Sequence, residues 1–368
     1  MEVGIIGAGL AGLLTSIQLA RRGVRVSVFE KKRFPFHRVC GEYISNETVP
    51  FLKSLGVFPE QYNPPVINEL QLTSVNGRAA HLPLDQGGFG VSRYVFDQFL
   101  CNQARAEGVT ILEESEVEVV NFHDDRFKLI AQQKEYQFDI VVGSFGKRSK
   151  MDVVLKRNFV KHRSPYVGVK YHIKLKHPDH IIGLHNFKDG YCGISNVENG
   201  VTNLCYLTHR DNLKKHKNIR EMEEAVLFQN PYLRDIFSNA TFLFEKPEAI
   251  NEISFRTKSP IENHMLMAGD AAGMITPLCG NGMALAIHSS KVLSELVVRY
   301  HSRTISRQQM EQMYADQWRK LFAQRLWAGR QIQNLFGGVW ASNFAVTLAL
   351  LATPVATWLV KQTHGKPF

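Results

Sequence analysis

The sequence has 368 residues, of which 44% are hydrophobic and 21% charged; this excludes a disordered chain, a collagen-like repeat and a disulfide scaffold, and suits one large composite domain or two. Lysine and arginine exceed aspartate and glutamate by 44 − 34 = 10, a surplus equally compatible with acidic small molecules, anionic membranes and nucleic acid. The five cysteines, Cys40, Cys101, Cys192, Cys205 and Cys279, are odd in number and none stand as C-x-x-C, which argues against a zinc ribbon and fits a reducing, cytoplasmic setting.

Val3–Ile6 is a short apolar run that reads as a buried strand. Gly7, Gly9 and Gly12 follow as G-x-G-x-x-G, Leu13–Arg22 has helical periodicity ending at Gly23, and Val24–Phe29 is a β-branched strand ending at Glu30. The glycines permit a tight turn and close backbone approach to a pyrophosphate, and the helix N-terminus offers free N–H groups. Glu30 stands 30 − 12 = 18 residues after the last glycine, where a carboxylate takes ribose hydroxyls and disfavours a 2′-phosphate. Taken alone, this unit fits FAD and NAD alike. The apolar residues 3–14 precede Arg21-Arg22 rather than follow a positive segment, so no secretory signal is expected.

Tyr94–Glu107 reads as an amphipathic helix ended by Gly108, and Val109–Leu112, Asp139–Val142 and Met265–Ala268 as short buried strands. Val117–Phe122, Phe127–Ala131 and Glu135–Phe138 form a three-stranded meander. The middle differs: Val167–Leu175, Ile181–Phe187, Tyr191–Val197 and Val201–Leu207 read as an antiparallel sheet with a hairpin turn at Asn199-Gly200, followed by a charged helix over Leu213–Leu227. Because the strand Met265–Ala268 comes only after this section, the nucleotide domain is interrupted by it. The expected division is 1–65, 92–155 and 260–300 for the nucleotide domain, 66–91 and 156–259 for the sheet domain, and 301–368 for C-terminal helices. Within those helices Tyr300–Arg330 is basic, and Leu335–Val360 is apolar apart from Gly337-Gly338, Asn343 and Pro354.

Gly269-Asp270-Ala271-Ala272-Gly273 leads to Pro277, Gly280-Asn281-Gly282 and an alanine-rich helix. Here the sequence resembles the flavoprotein superfamily that includes aromatic-ring monooxygenases and geranylgeranyl reductases. The resemblance implies an α/β (α+β composite) fold: a Rossmann-like FAD-binding domain with a three-stranded meander, interrupted by an antiparallel-sheet substrate domain, and a helical C-terminus. It implies that Gly269 and Asp270 meet the ribityl chain of FAD. Gly280, Asn281, Gly282 and Met283 then face the flavin pyrimidine ring, where a helix N-terminus stabilises the negative charge of reduced flavin. It further implies cofactor contacts from Gly7, Gly9, Leu10, Ala11, Gly12, Glu30 and Lys31, from Arg38 near the diphosphate, from Arg93 at a helix start, and from the Val117 backbone at adenine. Asp139–Ser149 resembles the second nucleotide motif of the superfamily, with Phe145 where aspartate often stands.

Cys40-Gly41 resembles the Cys-Gly stretch of geranylgeranyl reductases, which makes Cys40 the candidate catalytic thiol, able to relay a proton beside the flavin; its bland reading is a small buried hydrophobe. Cys279 is expected to approach Cys40. Tyr191 keeps the first position of a Tyr-x-Trp/Phe-x-x-Pro stretch that lines the substrate cavity in those reductases, while Gly193 and Asn196 replace the aromatic and the proline. Halogenases usually show Trp-x-Trp-x-x-Pro, and the first tryptophan here is Trp318, so halogenation is not expected.

The leading expectation is reduction of a C=C bond in a lipophilic small molecule by flavin hydride. The alternatives are a flavin monooxygenase that hydroxylates or epoxidises an aromatic, polyketide or isoprenoid substrate, and a flavin-binding carrier without turnover. With no second G-x-G-x-x-G, the reductant is NAD(P)H bound transiently, or a separate reductase or ferredoxin. No basic stripe interleaves with stacking aromatics, so nucleic acid is not an expected partner. No metal site is expected from the loose spacing of His177 and His180. The apolar C-terminal segment either caps the substrate cavity or, through Trp340, Trp358 and Lys361, touches a bilayer at the inner membrane face.

Overall fold

The computed structural model describes all residues except 252, 277–279 and 334–337, and the side chain of Ile332. The chain opens with strand β1 (Glu2–Ile6), helix α1 (Leu10–Ala20) and strand β2 (Arg25–Phe29). A short strand β3 (Tyr43–Ser45) and helix α2 (Val49–Ser54) lead to the hairpin β4 (Val66–Thr73) and β5 (Ala79–Gly90). Next come α3 (Arg93–Ala106), β6 (Thr110–Leu112), β7 (Val117–His123), β8 (Arg126–Ala131), β9 (Lys134–Phe138), β10 (Ile140–Gly143) and α4 (Lys150–Val154). The middle holds β11 (Tyr166–Lys174), β12 (Ile181–Phe187), β13 (Gly190–Asn196), β14 (Thr202–His209), α5 (Arg210–Lys214), α6 (Ile219–Val226) and α7 (Pro231–Asn239). Four short strands follow, β15 (Thr241–Phe242), β16 (Glu248–Asn251), β17 (Ile261–Glu262) and β18 (Met265–Met267), then α8 (Gly282–His301), α9 (Arg307–Gln333), α10 (Val339–Leu351) and α11 (Thr353–Lys361).

The first sheet has the order β17-β18-β10-β1-β2-β6 and is parallel except at β17. A central parallel strand is covered on both faces and so reads as a continuous apolar run; in β1, Val3, Ile5 and Ile6 are buried together with Gly4. Helices α1, α3, α8 and α9 share one core with this sheet and with the meander β7-β8-β9. The Tyr314 hydroxyl of α9 donates to the Met267 carbonyl at 2.6 Å, which fixes that helix over β18.

The second sheet runs β15-β11-β14-β13-β12-β4-β5-β3, with β16 paired to β11. It is antiparallel except where β12 pairs with β4 in parallel. Alternation sorts its two faces. Val167, Val169, Tyr171 and Ile173 of β11 face one way and pack with Met222 and Val226 of α6 and Leu233 and Ile236 of α7. The intervening Gly168, Lys170 and His172 face the first sheet. Their cross-strand partners Leu207, Cys205 and Asn203 lie on the same side, as do Tyr191 opposite Leu207 and Leu184 beside Gly193.

Asn199 and Gly200 turn the β13–β14 connection with φ of 59° and 65°, the left-handed pair that a tight hairpin demands. The single helix expected over Leu213–Leu227 is instead two, because Asn218 caps a new start by accepting from the Glu221 N–H. Helix α1 begins at Leu10, three residues before the apolar periodicity suggests, because Gly9 is already its N-cap.

Candidate cofactor and substrate site

The C-terminal ends of β1, β2 and β10 converge on the glycine loop. Gly7 has a φ of 103°, and a Cβ there would stand 2.5 Å from the Ser144 carbonyl oxygen. Gly12 lies inside α1, where a Cβ would stand 2.1 Å from the Gly7 carbonyl oxygen. These two glycines let the loop fold back against helix and strand. Gly9 is the open one: a Cβ there would meet the Arg93 guanidinium alone, at 3.5 Å. No side chain caps the start of α1, so its first N–H groups point outward without protein partners of that kind.

Around this loop lies a cavity of about 410 Å³. Gly7, Gly9, Leu10, Ala11, Glu30, Lys31, Arg38, Arg93 and Val117 line it, together with Gly269, Asp270, Gly280, Gly282 and Met283. Gly12 and Asn281 are not in the lining. Gly12 is a packing position. The buried side chain of Asn281 turns away and donates to the Thr363 carbonyl at 2.7 Å. No side chain caps α8, so a second helix N-terminus also opens toward the cavity. Pro277 and Cys279 lie outside the described residues, and with them the expected approach of Cys279 to Cys40.

Glu30 is buried and holds the loop together. One carboxylate oxygen accepts from the Ala8 N–H and the Arg38 guanidinium, both at 3.1 Å, and the other from the Lys32 N–H at 3.1 Å. Asp97, absent from the sequence-derived site, anchors both arginines: Arg38 reaches it at 2.9 Å, and Arg93 grips it with two bonds of 2.7 Å. The Arg93–Asp97 spacing of one helical turn is the signal in the sequence that could have found it. Asp270 lines the cavity with a carboxylate that has no hydrogen-bond partner among the described residues. Behind it the buried Lys258 ammonium donates to the Lys147 and Asp270 carbonyls, each at 2.8 Å, and burial pushes its pKa down to about 8.

Cys40 is half-buried in the cavity wall, and its carbonyl accepts from the Asn203 amide at 3.2 Å. Cys205 lines the cavity as well; burial pushes its thiol up to about 12, so it is a neutral thiol at ordinary pH. Below Cys40, Glu42 sits in the left-handed region with a φ of 55° and a fully buried carboxylate. It forms an ion pair with the Lys170 ammonium, bonds His172 Nε2 at 2.7 Å and accepts from the Arg93 N–H at 2.7 Å. Burial alone would raise the Glu42 carboxyl, but the Lys170 charge and the His172 hydrogen bond outweigh it and hold the group down to about 2. His37 stacks on Tyr94 with ring centroids 4.5 Å apart; burial, then the Lys170 charge, lower its pKa to about 4. Sequence reasoning passed over this cluster. Its only linear trace is Lys170 and His172 at alternate positions of β11, between the apolar Val169, Tyr171 and Ile173.

The facing wall is the inner side of the second sheet: Ile182, Leu184, Tyr191, Gly193, Cys205 and Leu207, joined by Ile250 and Ile253. Tyr191 is buried and stands on this wall. Gly193 leaves space there, since a Cβ would meet nothing closer than the Cys205 carbonyl oxygen at 3.6 Å. Among the described residues, no group of three His, Cys, Asp or Glu side chains is placed to hold a metal ion.

Residues 1–304 match the family described as FAD binding domain. The chain belongs to that family. The donor set agrees with the cofactor: two uncapped helix starts, an open glycine, an acidic end to β2 and a cavity-facing carboxylate at Asp270. This flavoprotein is 26% identical to conditioned medium factor receptor 1 of Dictyostelium discoideum, over 87% of this chain and 68% of that protein. It is 23% identical to digeranylgeranylglycerophospholipid reductase of Methanosarcina acetivorans, over 91% and 84%, and 24% identical to kynurenine 3-monooxygenase of Christiangramia forsetii, over 87% and 75%. Among solved structures, the flavin-dependent halogenase CmlS superposes with a TM-score of 0.79 at 20% identity, over 100% of this chain and 74% of that one. A geranylgeranyl bacteriochlorophyll reductase-like protein of Thermoplasma acidophilum superposes with a TM-score of 0.77 at 15% identity, over 98% and 95%. The superpositions establish the fold; the family match, with its reductase and monooxygenase relatives, makes this chain a FAD-dependent oxidoreductase.

Proposed function

We propose that this flavoprotein reduces a C=C bond of a lipophilic small molecule, in the manner of a geranylgeranyl reductase. The observation that carries the reading is the wall opposite the glycine loop, where Ile182, Leu184, Tyr191, Leu207, Ile250 and Ile253 offer an apolar surface. Such a wall stabilises hydrocarbon and excludes water. FAD, when bound, supplies the hydride. The backbone of Gly7, Gly9, Leu10 and Ala11 at the start of α1 would hold its diphosphate, with Arg38 alongside. Glu30 and Lys31 would meet the ribose, Val117 the adenine, and Asp270 the ribityl hydroxyls. The start of α8 at Gly280–Met283 would face the flavin ring through backbone N–H groups, since the Asn281 side chain is engaged elsewhere.

Cys40 Sγ, in the cavity wall, would deliver the proton that completes addition across the double bond. Cys205 is a poor substitute: a thiol pushed up to about 12 gives its proton up reluctantly. Electrons would arrive from NAD(P)H bound transiently, or from a separate reductase or ferredoxin. The second reading, a monooxygenase, is favoured by the kynurenine 3-monooxygenase relative, as similar in sequence as the reductase.

The test is a single-turnover comparison. FAD-loaded protein is reduced with dithionite and offered a panel of prenyl lipids without oxygen. Flavin reoxidation coupled to a saturated product is expected. Turnover only in air, with a product that has gained an oxygen atom, would replace the reductase by the monooxygenase. Reoxidation by no substrate under either condition would leave a carrier.

A further inference from the structure

The outer face of the C-terminal helix pair is bare and apolar. Trp340 is 90% exposed and Leu351 84%, and Phe344, Val355 and Trp358 are each about half exposed or more. Helical periodicity puts Trp340, Phe344 and Leu351 on one stripe of α10, while Ser342, Val346 and Ala349 occupy the opposite, buried side. That buried side packs, with Ala356 of α11, into the apolar cluster that contains Leu184, Tyr191 and Leu207. The face is thus one helix away from the cavity wall. A contiguous apolar patch of this kind marks a surface that is covered in use.

Three observations identify what covers it. First, α10 and α11 have 13 and 9 residues and meet at 113°, and among the described residues no single helix is long and apolar enough to cross a membrane; a span needs about 20 apolar residues in one run. Second, the 368 − 316 = 52 residues after Asp316 contain six cations and no aspartate or glutamate; Arg325 is buried against Glu47, while Arg319, Lys320, Lys361 and Lys366 are exposed, with Arg319 and Lys361 in surface ion pairs to Asp316 and Asp85 that cost little to exchange for phosphate. Third, both helices carry an exposed tryptophan, the side chain that settles at the boundary between headgroups and acyl chains. A second copy of the chain is a poor fit, because a two-fold interface would bring the same cations face to face.

We infer that this face docks on an anionic lipid bilayer, with α10 and α11 lying in the interface and not through it. Trp340, Phe344, Leu351 and Trp358 enter the acyl boundary, and cations of the C-terminal segment, Lys361 and Lys366 among them, meet the headgroup phosphates. The docking holds whichever reaction the cavity performs.

The FAD-loaded chain is sedimented with vesicles of phosphatidylglycerol and phosphatidylcholine, and with phosphatidylcholine alone. Binding to the anionic vesicles, weakened by salt, is expected. The double variant Trp340→Ser/Leu351→Ser should lower vesicle affinity at least about tenfold while keeping its bound FAD and its melting temperature. Should the variant not fold, tryptophan quenching by brominated lipid in the unmodified chain decides the same point. Failure to bind anionic vesicles, binding undiminished in a folded variant, or absence of quenching would each overturn the inference. So would a dimer in light scattering that the same two substitutions abolish.

Discussion

Glu42 shows how much of a site depends on residues that are remote in sequence. Its buried ion pair is with Lys170, 128 residues on, and its hydrogen bond with His172, 130 residues on. Nothing local encodes either meeting. The sequence shows only Lys170 and His172 alternating with Val169, Tyr171 and Ile173, and the charged face gains meaning once Glu42 is beneath it. Gly7, Gly9, Gly12 and Glu30 stand out in the sequence because their constraints are local, a tight turn, a helix start and the end of a strand, whereas Asp270 is singled out only by the resemblance of its motif to the flavoprotein superfamily. The Glu42 carboxyl titrates at about 2 when folded and near its ordinary value of 4.5 when unfolded. A carboxyl with a depressed folded pKa stabilises above the unfolded value, and that contribution fades as pH falls from 4.5 towards 2. Glu42→Gln should flatten this part of the acid-denaturation curve. It should also cost about 3–5 kcal/mol at neutral pH by leaving Lys170 buried without its partner. Denaturant melts at stepped pH check both effects. Gly193 makes the complementary point. Its strand geometry and the free space above it accept a side chain, so Gly193→Phe should leave FAD content and melting temperature nearly unchanged while excluding long substrates. Calorimetric titration of a prenyl-lipid series against the holoprotein would show affinity falling most for the longest members.

At the scale of elements, the strands with clean alternation or continuous apolar runs were readable, and the β4–β5 hairpin was not. Pro83 and the glycines at 87, 88 and 90 interrupt the period of β5, and its pairing with β4 shifts register between Ile67 and Glu69. The break between α5 and α6 was likewise hidden, because a continuous charged stretch gives no sign that Asn218 caps a fresh helix. Arg157 shows how elements are tied at the site. It is almost wholly buried and joins Asp152 of α4 at 3.0 Å, Glu262 of β17 at 3.1 Å, and the Ala271 and Ser259 carbonyls at 2.8 and 3.1 Å. Ala271 adjoins Asp270, so this one guanidinium positions the second cofactor motif against α4. Arg157→Met should destabilise by about 3–5 kcal/mol, because Asp152 is left buried beside an apolar chain. Arg157→Lys should recover only part of that, since a point charge cannot serve four acceptors arranged for a planar fork. Melting temperature, with FAD retained through gel filtration, separates the two variants.

For the whole molecule, the interrupted parallel sheet was foreseeable from the late strand at Met265, whereas the role of the last residues was not. Thr363–Phe368 runs between β5 on one side and α8 and α9 on the other. The Thr363 carbonyl accepts from Asn281 at 2.7 Å and from Arg325 at 3.2 Å, and the Gly365 carbonyl accepts from Gln86 at 2.8 Å. The Phe368 ring stacks on His288 with centroids 3.8 Å apart. These contacts lie too far along the chain from their partners for any local pattern to announce them. A chain truncated after Gln362 should lose several degrees of melting temperature and release FAD more readily, measured by cofactor fluorescence on dilution, because Asn281 and Arg325 lose the acceptor that orders the start of α8. The same clasp sets an order of events during biosynthesis. As the chain leaves the ribosome, the glycine loop and β1–α1–β2 emerge before the second sheet, β18 joins their sheet only after that second sheet has been made, and Asn281 finds its acceptor only when residue 363 clears the exit tunnel. The second cofactor motif is therefore braced only late, and a chain arrested short of that residue leaves Asn281 and Arg325 without their shared acceptor.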